Sequence, residues 1–259
     1  MSRQGLNGNF SGELLLRRLQ RVTPLSSAEV ELVLSLQKAK NHGPGSHVTP
    51  DVDGIACPRI IVTGWACRPR ILPDGRCQML SIQLPGDIIG DGGDRRPLEM
   101  SPVVALTNVR TISARPIFAA IARDPIQYGA LADAVGQLSR MAEAQLIDHV
   151  VRLGRQTAVQ RVGHCLLELY QRSRVIGFVQ GGCFPMPLTQ EVLGDLLGLS
   201  LVHVNRVLSQ LKRAALIEMK SGVVRVCDVE ELALLADYSL PPRQSMPVAM
   251  LEMNGLHPS

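Results

Sequence analysis

The stretch from Leu188 to Ile217, LTQEVLGDLLGLSLVHVNRVLSQLKRAALI, carries the clearest structural pattern in this chain. Thr189 is a good helix N-cap, because its hydroxyl can accept a backbone N–H of the first turn. Gly198 can end that helix because glycine readily adopts a positive φ, and Ser200 can cap a second helix. The pattern predicts two short helices joined by a tight turn. Such a pair fits the DNA major groove, and it is also common as a plain helical hairpin.

Apolar residues at helical spacing predict which faces of the two helices are buried. They are Val192, Leu193, Leu196 and Leu197 in the first helix, and Val204, Val207, Leu208 and Leu211 in the second. Leu188 and Leu193 have the spacing of a hydrophobic staple around the first N-cap. The second helix then presents Leu201, Val202, Asn205, Arg206 and Ser209 outward.

These residues resemble the C-terminal winged helix-turn-helix of Crp/Fnr-type bacterial transcription regulators, in the order LTxxxLGxLLGLSxxxVxRxLxxLxxxxLI. The resemblance continues into residues 218–226, which alternate around a Ser-Gly turn as the hairpin wing of such a domain does. Asp228 and Glu231 then have capping-box spacing ahead of a last short helix. The resemblance implies double-stranded DNA as partner.

Bulk composition is that of an ordinary globular protein. The chain has 259 residues, enough for one large or two modest domains, with 46% apolar and 19% charged residues. The polar start MSRQGLNGNFSGE and the lack of long apolar runs predict a cytoplasmic protein. The net charge of +4 is mixed along the chain, so nucleic-acid binding needs a local patch. The aromatic content of 3% disfavours base stacking on single strands.

Upstream, short apolar runs separated by Gly, Pro and Asp extend from Gly43 to about Ile117 and predict an antiparallel sandwich or roll. Two short helices precede them, broken at residues 23–26. Residues 64–90, GWACRPRILPDGRCQMLSIQLPGDIIG, look like the hairpin and PGDxxG turn of the cyclic-nucleotide-binding-like β-roll of the same family. The resemblance implies an α+β fold: an N-terminal β-roll, a long dimerisation helix and a C-terminal winged helix-turn-helix.

One long helix is predicted between Asp124 and Arg155. Its near-continuous apolar stripe, which extends through Ile147, Val150 and Val151, needs a partner. The alternatives are its own β-roll or a second copy, and the family likeness favours a homodimer seam. We expect the seam to include Leu131, Val135, Leu138, Met141, Ala142 and Gln145. The expected organisation is residues 14–123 as the sensor β-roll with flanking helices, 124–154 as the dimerisation helix, 155–238 as the winged domain and 239–259 as a disordered tail.

The PGDxxG turn and the residues after it form the candidate effector pocket. Pro85, Gly86, Asp87, Gly90, Arg95 and Arg96 are the candidate effector-pocket residues. Family members that bind cyclic AMP carry a glutamate and an Arg-Ser or Arg-Thr pair after the PGDxxG turn. Here Pro97 follows Arg96, and Asp91 and Asp94 would repel a phosphate. We therefore expect no cyclic AMP binding, and the cofactor stays unknown.

Metal and catalytic motifs are lacking in the sequence. No cysteine precedes Cys57, so the N-terminal thiolate cluster of an iron–sulfur sensor is not expected. His42, His47, His149 or Cys67 could ligate haem, but a lone histidine is more often a surface or hydrogen-bonded residue. We find no nucleophile elbow, phosphate loop or zinc-type His-Glu pair, and expect no metal site and no enzyme.

The six cysteines are expected to be reduced thiols without a C-x-x-C motif. Cys57, Cys67 and Cys77 are evenly spaced, but Pro73-Asp74-Gly75-Arg76 looks like a tight hairpin turn. If Asp74 and Gly75 are the loop, Cys77 lies opposite Leu72 and Cys67 opposite Ile82. The two cysteines are then not cross-strand partners, and buried, inert thiols are the favoured interpretation.

DNA reading is expected to differ from that of the best-known relatives, which carry a glutamate after the cap serine and an arginine four residues on. Arg206 matches the arginine and is expected to reach a guanine or a phosphate, while Asn205 can pair with adenine. Val202 replaces the glutamate and, like Leu201, can pack on a thymine methyl or against neighbouring protein. The remaining expected DNA-binding residues are the caps Thr189 and Ser200, the outward-facing Ser209, and the phosphate contacts His203, Lys212 and Arg213.

The sequence thus predicts a homodimeric, sequence-specific transcription regulator that binds palindromic double-stranded DNA, contacts RNA polymerase and responds to a signal at the β-roll. The rival interpretation is a ligand-sensing protein that has lost DNA binding and acts through protein contacts. The effector, the target genes and the sign of regulation are not encoded in any motif that we recognise.

Overall fold

A computed structural model describes residues 12–37, 39–48, 51–52, 55–90 and 102–241, with backbone alone at 51, 52, 55 and 56. The N-terminal part holds the first three helices and nine short strands. These are α1 (Glu13–Val22), α2 (Ser27–Leu34), β1 (Lys40–His42), β2 (Asp51–Val52), β3 (Ile55–Ala56), β4 (Arg59–Thr63), β5 (Ala66–Ile71), β6 (Cys77–Gln83), β7 (Ile88–Ile89), β8 (Val104–Ala105), β9 (Val109–Ser113) and α3 (Arg115–Arg123).

The C-terminal part begins with the longest described helix and ends in the winged region. Its elements are α4 (Gly129–Arg155), α5 (Ala158–Val175), β10 (Cys183–Pro185), α6 (Gln190–Leu197), α7 (Leu201–Arg213), β11 (Ile217–Lys220), β12 (Val223–Val226) and α8 (Val229–Ala236). The predicted α+β class is confirmed, with antiparallel sheets first and a helix-turn-helix after them.

All described strand pairs are antiparallel. The roll contains a four-stranded sheet in the order β1-β9-β4-β7, a three-stranded sheet in the order β6-β5-β8, and the small pair β2-β3. The wing is a separate three-stranded sheet in the order β10-β12-β11.

The β5–β6 hairpin departs from the predicted register at one end. Cys67 does pair with Ile82, but Cys77 pairs with Ile71 and not with Leu72. The loop has three residues, with Gly75 at φ 83°, and a bulge at Arg68/Pro69 restores the expected register beyond it. Proline cannot donate to the ladder, which explains why the irregularity falls there.

Three apolar clusters form the core. One joins α1, α2, α3 and α4 to strands β4 and β9, and a small one fills the roll. The largest joins the winged region to β5 and β6, and it includes Trp65, Met79 and Ile82 of the roll. The winged region is therefore docked on the roll and not connected to it by α4 alone.

The first turn of helix α4 contacts helix α2. The buried carboxylate of Glu29 accepts a hydrogen bond from Leu131 N at 2.7 Å, and it also closes the capping box of Ser26 at the start of α2. A carboxylate at a helix N-terminus satisfies an unpaired N–H and complements the helix dipole. This contact fixes where the long helix starts.

No single described helix is long and apolar enough to cross a membrane. Only α6 and α7, which meet at 103°, would suffice in length and composition as a bent pair.

Candidate nucleic-acid interface

The turn between α6 and α7 is built from the predicted caps. Thr189 Oγ1 accepts from Val192 N at 3.2 Å, and Ser200 Oγ accepts from His203 N at 3.3 Å. Gly198 ends α6 in the left-handed region at φ 63°. Gly194 lets the turn pass close to α6, since a Cβ there would lie 2.7 Å from Leu199 O. The caps predicted from the sequence are confirmed.

The two helices bury the predicted inner faces. Leu193, Leu196 and Leu197 of α6 are buried, as are Val204, Val207, Leu208 and Leu211 of α7. The remaining predicted member, Val192, is half-buried against the same cluster. Packing of these stripes fixes the angle between α6 and α7.

The outer face of α7 is exposed to solvent. All eight expected DNA-binding residues on it are exposed: Leu201, Val202, His203, Asn205, Arg206, Ser209, Lys212 and Arg213. Val202 is 76% exposed and Leu201 44% exposed. Val202 is thus largely open to solvent, whereas more than half of Leu201 is covered.

Beside α7, the wing follows the predicted Ser-Gly turn. Ser221 and Gly222 have φ values of 50° and 75°, the left-handed pair that a tight two-residue hairpin requires. Arg225 and Glu218 face each other across the strands at 3.5 Å, and both are more than half exposed. The third strand, β10, was not predicted, because three residues give no periodicity.

Arg161 links the start of α5 to the helix-turn-helix. Its Nε donates to Gln156 O at 2.9 Å and its Nη1 to Leu197 O at 3.0 Å. A guanidinium at the C-terminal end of α6 satisfies a free carbonyl and complements the helix dipole. The joint after α4 and the turn before α7 are thereby held by one side chain.

Helix α4 turns most of the expected seam residues toward its own chain. Leu131 is completely buried in the cluster that contains Leu15 and Leu19. The next members, Val135, Leu138, Ala142 and Gln145, line a cavity between α4, the roll and α5, and only Met141 points away from it. Leu131 and Leu138 are therefore buried within their own chain, whereas Met141 and Ala142 are exposed, and the seam expected from the sequence stays a prediction.

A different face of α4 is apolar and uncovered in the described chain. Its members are Ile147, Val150 and Val151, which are 51–68% exposed. They are spaced three and four residues apart, so they share one side of the helix.

The cavity has a volume of about 490 Å³ and a mixed lining. Two of the expected effector residues, Asp87 and Gly90, line it, while Pro85 and Gly86 do not. Arg95 and Arg96, together with Asp91 and Asp94, lie outside the described residues. The cavity wall also includes His149, which the sequence offered only as a candidate haem ligand. It further includes Arg152 and Arg172, which the sequence did not single out because their partners are distant in the chain.

An alternating network of charges lies beside the cavity and joins the winged region to the roll. Asp87 pairs with Arg18 of α1 and, at 2.8 Å, with Arg172 of α5. Arg172 also donates to Ile82 O at 2.8 Å and faces Glu168 at 3.3 Å. Glu168 in turn accepts from Arg152 of α4 at 2.5 Å. The network contains three arginines and two carboxylates, all at least four-fifths buried.

The network shifts the pKa values of its members. Burial would raise the pKa of Glu168, but Arg152 and Arg172 together lower it. Burial, assisted by Arg172, lowers the pKa of Arg18 to about 9. Burial and then Arg152 lower the pKa of His149. The neutral form of His149 is therefore favoured at this site.

Three cysteines, Cys67, Cys77 and Cys165, have the character of inert thiols. Burial raises the pKa of Cys67 and of Cys165 to about 12, and it also raises the pKa of Cys77. A thiol that resists ionisation is a poor nucleophile and a poor metal ligand. Among the described residues, no group of three or more His, Cys, Asp or Glu is arranged to hold a metal ion.

The fold and this interface define a winged helix-turn-helix regulator carried on a β-roll. Residues 160–235 match a family model described as a Crp-like helix-turn-helix domain. The chain is 30% identical over 192 residues to the CRP-like cAMP-activated global transcriptional regulator of Mycobacterium tuberculosis. The aligned region covers 67% of this chain and 77% of that protein. It is 25% identical over 230 residues to the nitrogen fixation regulation protein FixK of Bradyrhizobium diazoefficiens, covering 89% and 95% of the two chains.

Solved structures agree with these relatives. FixK2 from Bradyrhizobium japonicum superposes with a TM-score of 0.63 at 25% identity, covering 79% of this chain and 98% of the other. The chain belongs to the Crp/Fnr family of transcription regulators. It is a DNA-binding regulator of the type that acts as a homodimer.

Proposed function

We propose that the outer face of α7 reads the major groove, with Arg206 and Asn205 on base edges. The observation that carries this proposal is the exposure of Leu201 and Val202 beside these polar residues, on a helix whose opposite stripe is fully buried. Exposed apolar side chains beside hydrogen-bonding ones suit thymine methyls and base edges in one groove. The preferred half-site then differs from that of relatives with a glutamate at the Val202 position.

The flanks of α7 are proposed to hold the DNA backbone. Lys212 and Arg213 lie in its last turn and His203 in its first, all exposed, while Ser209 lies on the central outer face. Thr189 and Ser200 cap the two helix N-termini, where backbone N–H groups favour a phosphate. These contacts fix the position of the helix and add little sequence discrimination.

Two copies are proposed to pair through the uncovered apolar face of α4 that contains Val150. A two-fold dimer presents two α7 helices, which calls for a palindromic site with half-sites one helical turn apart. We further propose that the bound dimer acts on RNA polymerase in the cytoplasm and catalyses no reaction. The domain division expected from the sequence, with its tail from residue 239, is retained as part of this proposal.

The signal is proposed to act at the cavity between the roll, α4 and α5. Its wall joins Asp87 and Gly90 of the roll to Arg172 of α5, so an occupant would touch both the sensor and the winged region. Such an occupant can shift an equilibrium between orientations of the winged region only by binding one of them more tightly.

A binding titration tests the DNA-reading proposal. The protein is titrated onto its own upstream DNA and onto a scrambled duplex at two salt concentrations. Arg206→Ala should cost about 1–3 kcal/mol on the specific DNA alone. Lys212→Ala should weaken binding to both duplexes and reduce the salt slope by about one unit. Equal losses for Arg206→Ala on the two duplexes would make Arg206 a phosphate contact and overturn its assignment to a base.

A further inference from the structure

Ser200 contacts His203 through two atoms of the histidine. Its Oγ accepts a hydrogen bond from His203 N, and the same Oγ lies 3.1 Å from His203 Nδ1. Both residues are exposed, and Nε2 lies on the far side of the ring from Ser200. Among the described residues, the imidazole ring of His203 has no hydrogen-bond partner besides Ser200. The cap serine therefore orients the imidazole as well as the helix.

The hydrogen-bonding capacity of Ser200 permits the tautomer of His203 that carries its proton on Nε2. The cap uses a lone pair of Oγ, which leaves the hydroxyl proton available to Nδ1. When Nδ1 accepts this proton, the ring proton of a neutral imidazole must sit on Nε2. The outward atom is then a donor, and the DNA backbone offers acceptors.

The place of His203 on α7 favours the backbone over a base. At 100° per residue, Val202, Arg206, Ser209 and Arg213 lie along the centre of the outer face. His203 lies about 90° to one side of that centre, and Asn205 lies toward the other. A side chain on the flank of a helix in the major groove meets the wall of the groove, which is made of phosphates.

We propose that Ser200 holds His203 as the Nε2–H tautomer and that this N–H donates to a phosphate oxygen of bound DNA. The inference rests on the proposed placement of α7 in the groove. The contact assigned to His203 is made by a neutral donor, unlike that of Lys212. It does not discriminate between base pairs, unlike that of Arg206.

Amide side chains test which ring nitrogen matters. In His203→Gln the side-chain amide nitrogen can occupy the position of Nε2. The shorter side chain of His203→Asn places its amide nitrogen only at the position of Nδ1. Affinity for the upstream DNA and for a scrambled duplex is measured at pH 8.5, above the usual histidine range. His203→Ala and His203→Asn should each lose about tenfold on both duplexes, as expected for one hydrogen bond to a charged group. His203→Gln should recover most of that loss.

The salt dependence separates this contact from a cationic one. A neutral donor releases no counterion, so His203→Ala should leave the salt slope unchanged, whereas Lys212→Ala should reduce it by about one unit. His47→Gln, an exposed histidine of the roll, is the matched control and should leave affinity on both duplexes unaltered.

Nitrogen NMR of protein with labelled histidines identifies the tautomer. The His203 signals are assigned as those that disappear in the spectrum of His203→Gln. Nε2 should carry the proton in the wild type and in Ser200→Thr, which keeps a hydroxyl. Ser200→Asp keeps a capping oxygen but has no proton to give, so it should move the ring proton to Nδ1.

The outcomes are separable. If the wild type forms no salt-sensitive complex with either duplex, the placement of α7 in the groove fails and this inference falls with it. If the wild type binds but His203→Asn binds as well as His203→Gln, or the ring proton sits on Nδ1, only the inference about His203 is overturned. A loss confined to the specific duplex would overturn the phosphate assignment.

Discussion

His149 is an imidazole enclosed between α4, α5 and the roll, and it is only 6% exposed. Burial lowers its pKa, Arg152 lowers it further, and Glu168 and a backbone hydrogen bond with Met79 oppose the shift without reversing it. The unfolded chain takes up a proton near pH 6.5, whereas the folded chain resists until a lower pH. The resulting stability is fully present above about pH 6.5 and is lost as the pH falls through the folded pKa.

We therefore expect His149→Leu to flatten the pH dependence of folding between pH 7.5 and 5.5. Each histidine of this type contributes at most about 1.4 kcal/mol per pH unit to the slope of the unfolding free energy. The pKa of His164 is lowered as well, so part of the pH dependence of the unfolding free energy should remain in the variant. Urea unfolding at several pH values measures it. His47→Leu, at an exposed site, should keep the wild-type slope, and an unaltered slope in His149→Leu would contradict the assignment.

At the scale of single residues, what the sequence reveals is local. Thr189, Gly198 and Ser200 could be assigned as caps because a cap and its partner lie within four residues. Arg172 and Asp87 are 85 residues apart, and no spacing rule connects them. The candidate interface on α7 was therefore predictable, whereas the polar wall of the cavity was not.

At the scale of elements, α4 shows that periodicity finds a stripe but does not say what covers it. Leu131 and Leu138 belong to a real apolar stripe, and it packs against α1 and α2 of the same chain. The residues left uncovered, including Ile147 and Val150, lie on another side of the helix. The helix could be predicted from the sequence, but its partner-facing side depends on tertiary packing.

The same glutamate substitution at two exposed positions of α4 should separate the two candidate seams. Val150→Glu would bury an unpaired carboxylate in the proposed dimer face, at a cost of several kcal/mol, and should yield monomer. Met141→Glu, on the side away from Val150, should remain a dimer. Sedimentation measures both. A monomer from Met141→Glu and a dimer from Val150→Glu would support the seam expected from the sequence.

The β5–β6 hairpin makes a related point about strands. Its turn was predictable from Pro-Asp-Gly, and the pairing of Cys67 with Ile82 was predicted correctly. The three-residue loop shifts the register by one, and the bulge at Pro69 shifts it back. Because the loop and the bulge compensate each other, the pairing of Cys67 with Ile82 is the one that a simple two-residue turn would give.

At the scale of the whole molecule, the ion network couples parts of the chain that are distant in sequence. Arg172 gives the winged region two contacts on the roll, Asp87 and the carbonyl of Ile82. Each carboxylate keeps a second arginine, so removing Arg172 leaves neither charge without a partner. Its contribution is best measured as a coupling energy.

A double-mutant cycle of Arg172→Leu and Asp87→Asn should give a coupling of about 1 kcal/mol or more in the unfolding free energy, because the pair is largely buried. The matched control is the exposed pair Arg225 and Glu218, whose coupling should stay below about 0.5 kcal/mol. Chemical denaturation of each single and double variant gives both values. Equal coupling in the two cycles would mean that the network does not hold the winged region to the roll.

The docking of the winged region places an optical reporter at the boundary. Trp65, the single tryptophan of the chain, is 4% exposed and lies in the apolar cluster that the roll shares with the winged region. Indole emission moves to longer wavelength in water, so departure of the winged region should shift the fluorescence of the unlabelled protein to the red. Addition of the specific DNA while this emission is recorded would show whether binding keeps the winged region docked. An unshifted spectrum at saturation would mean that the docked arrangement is the one that binds DNA.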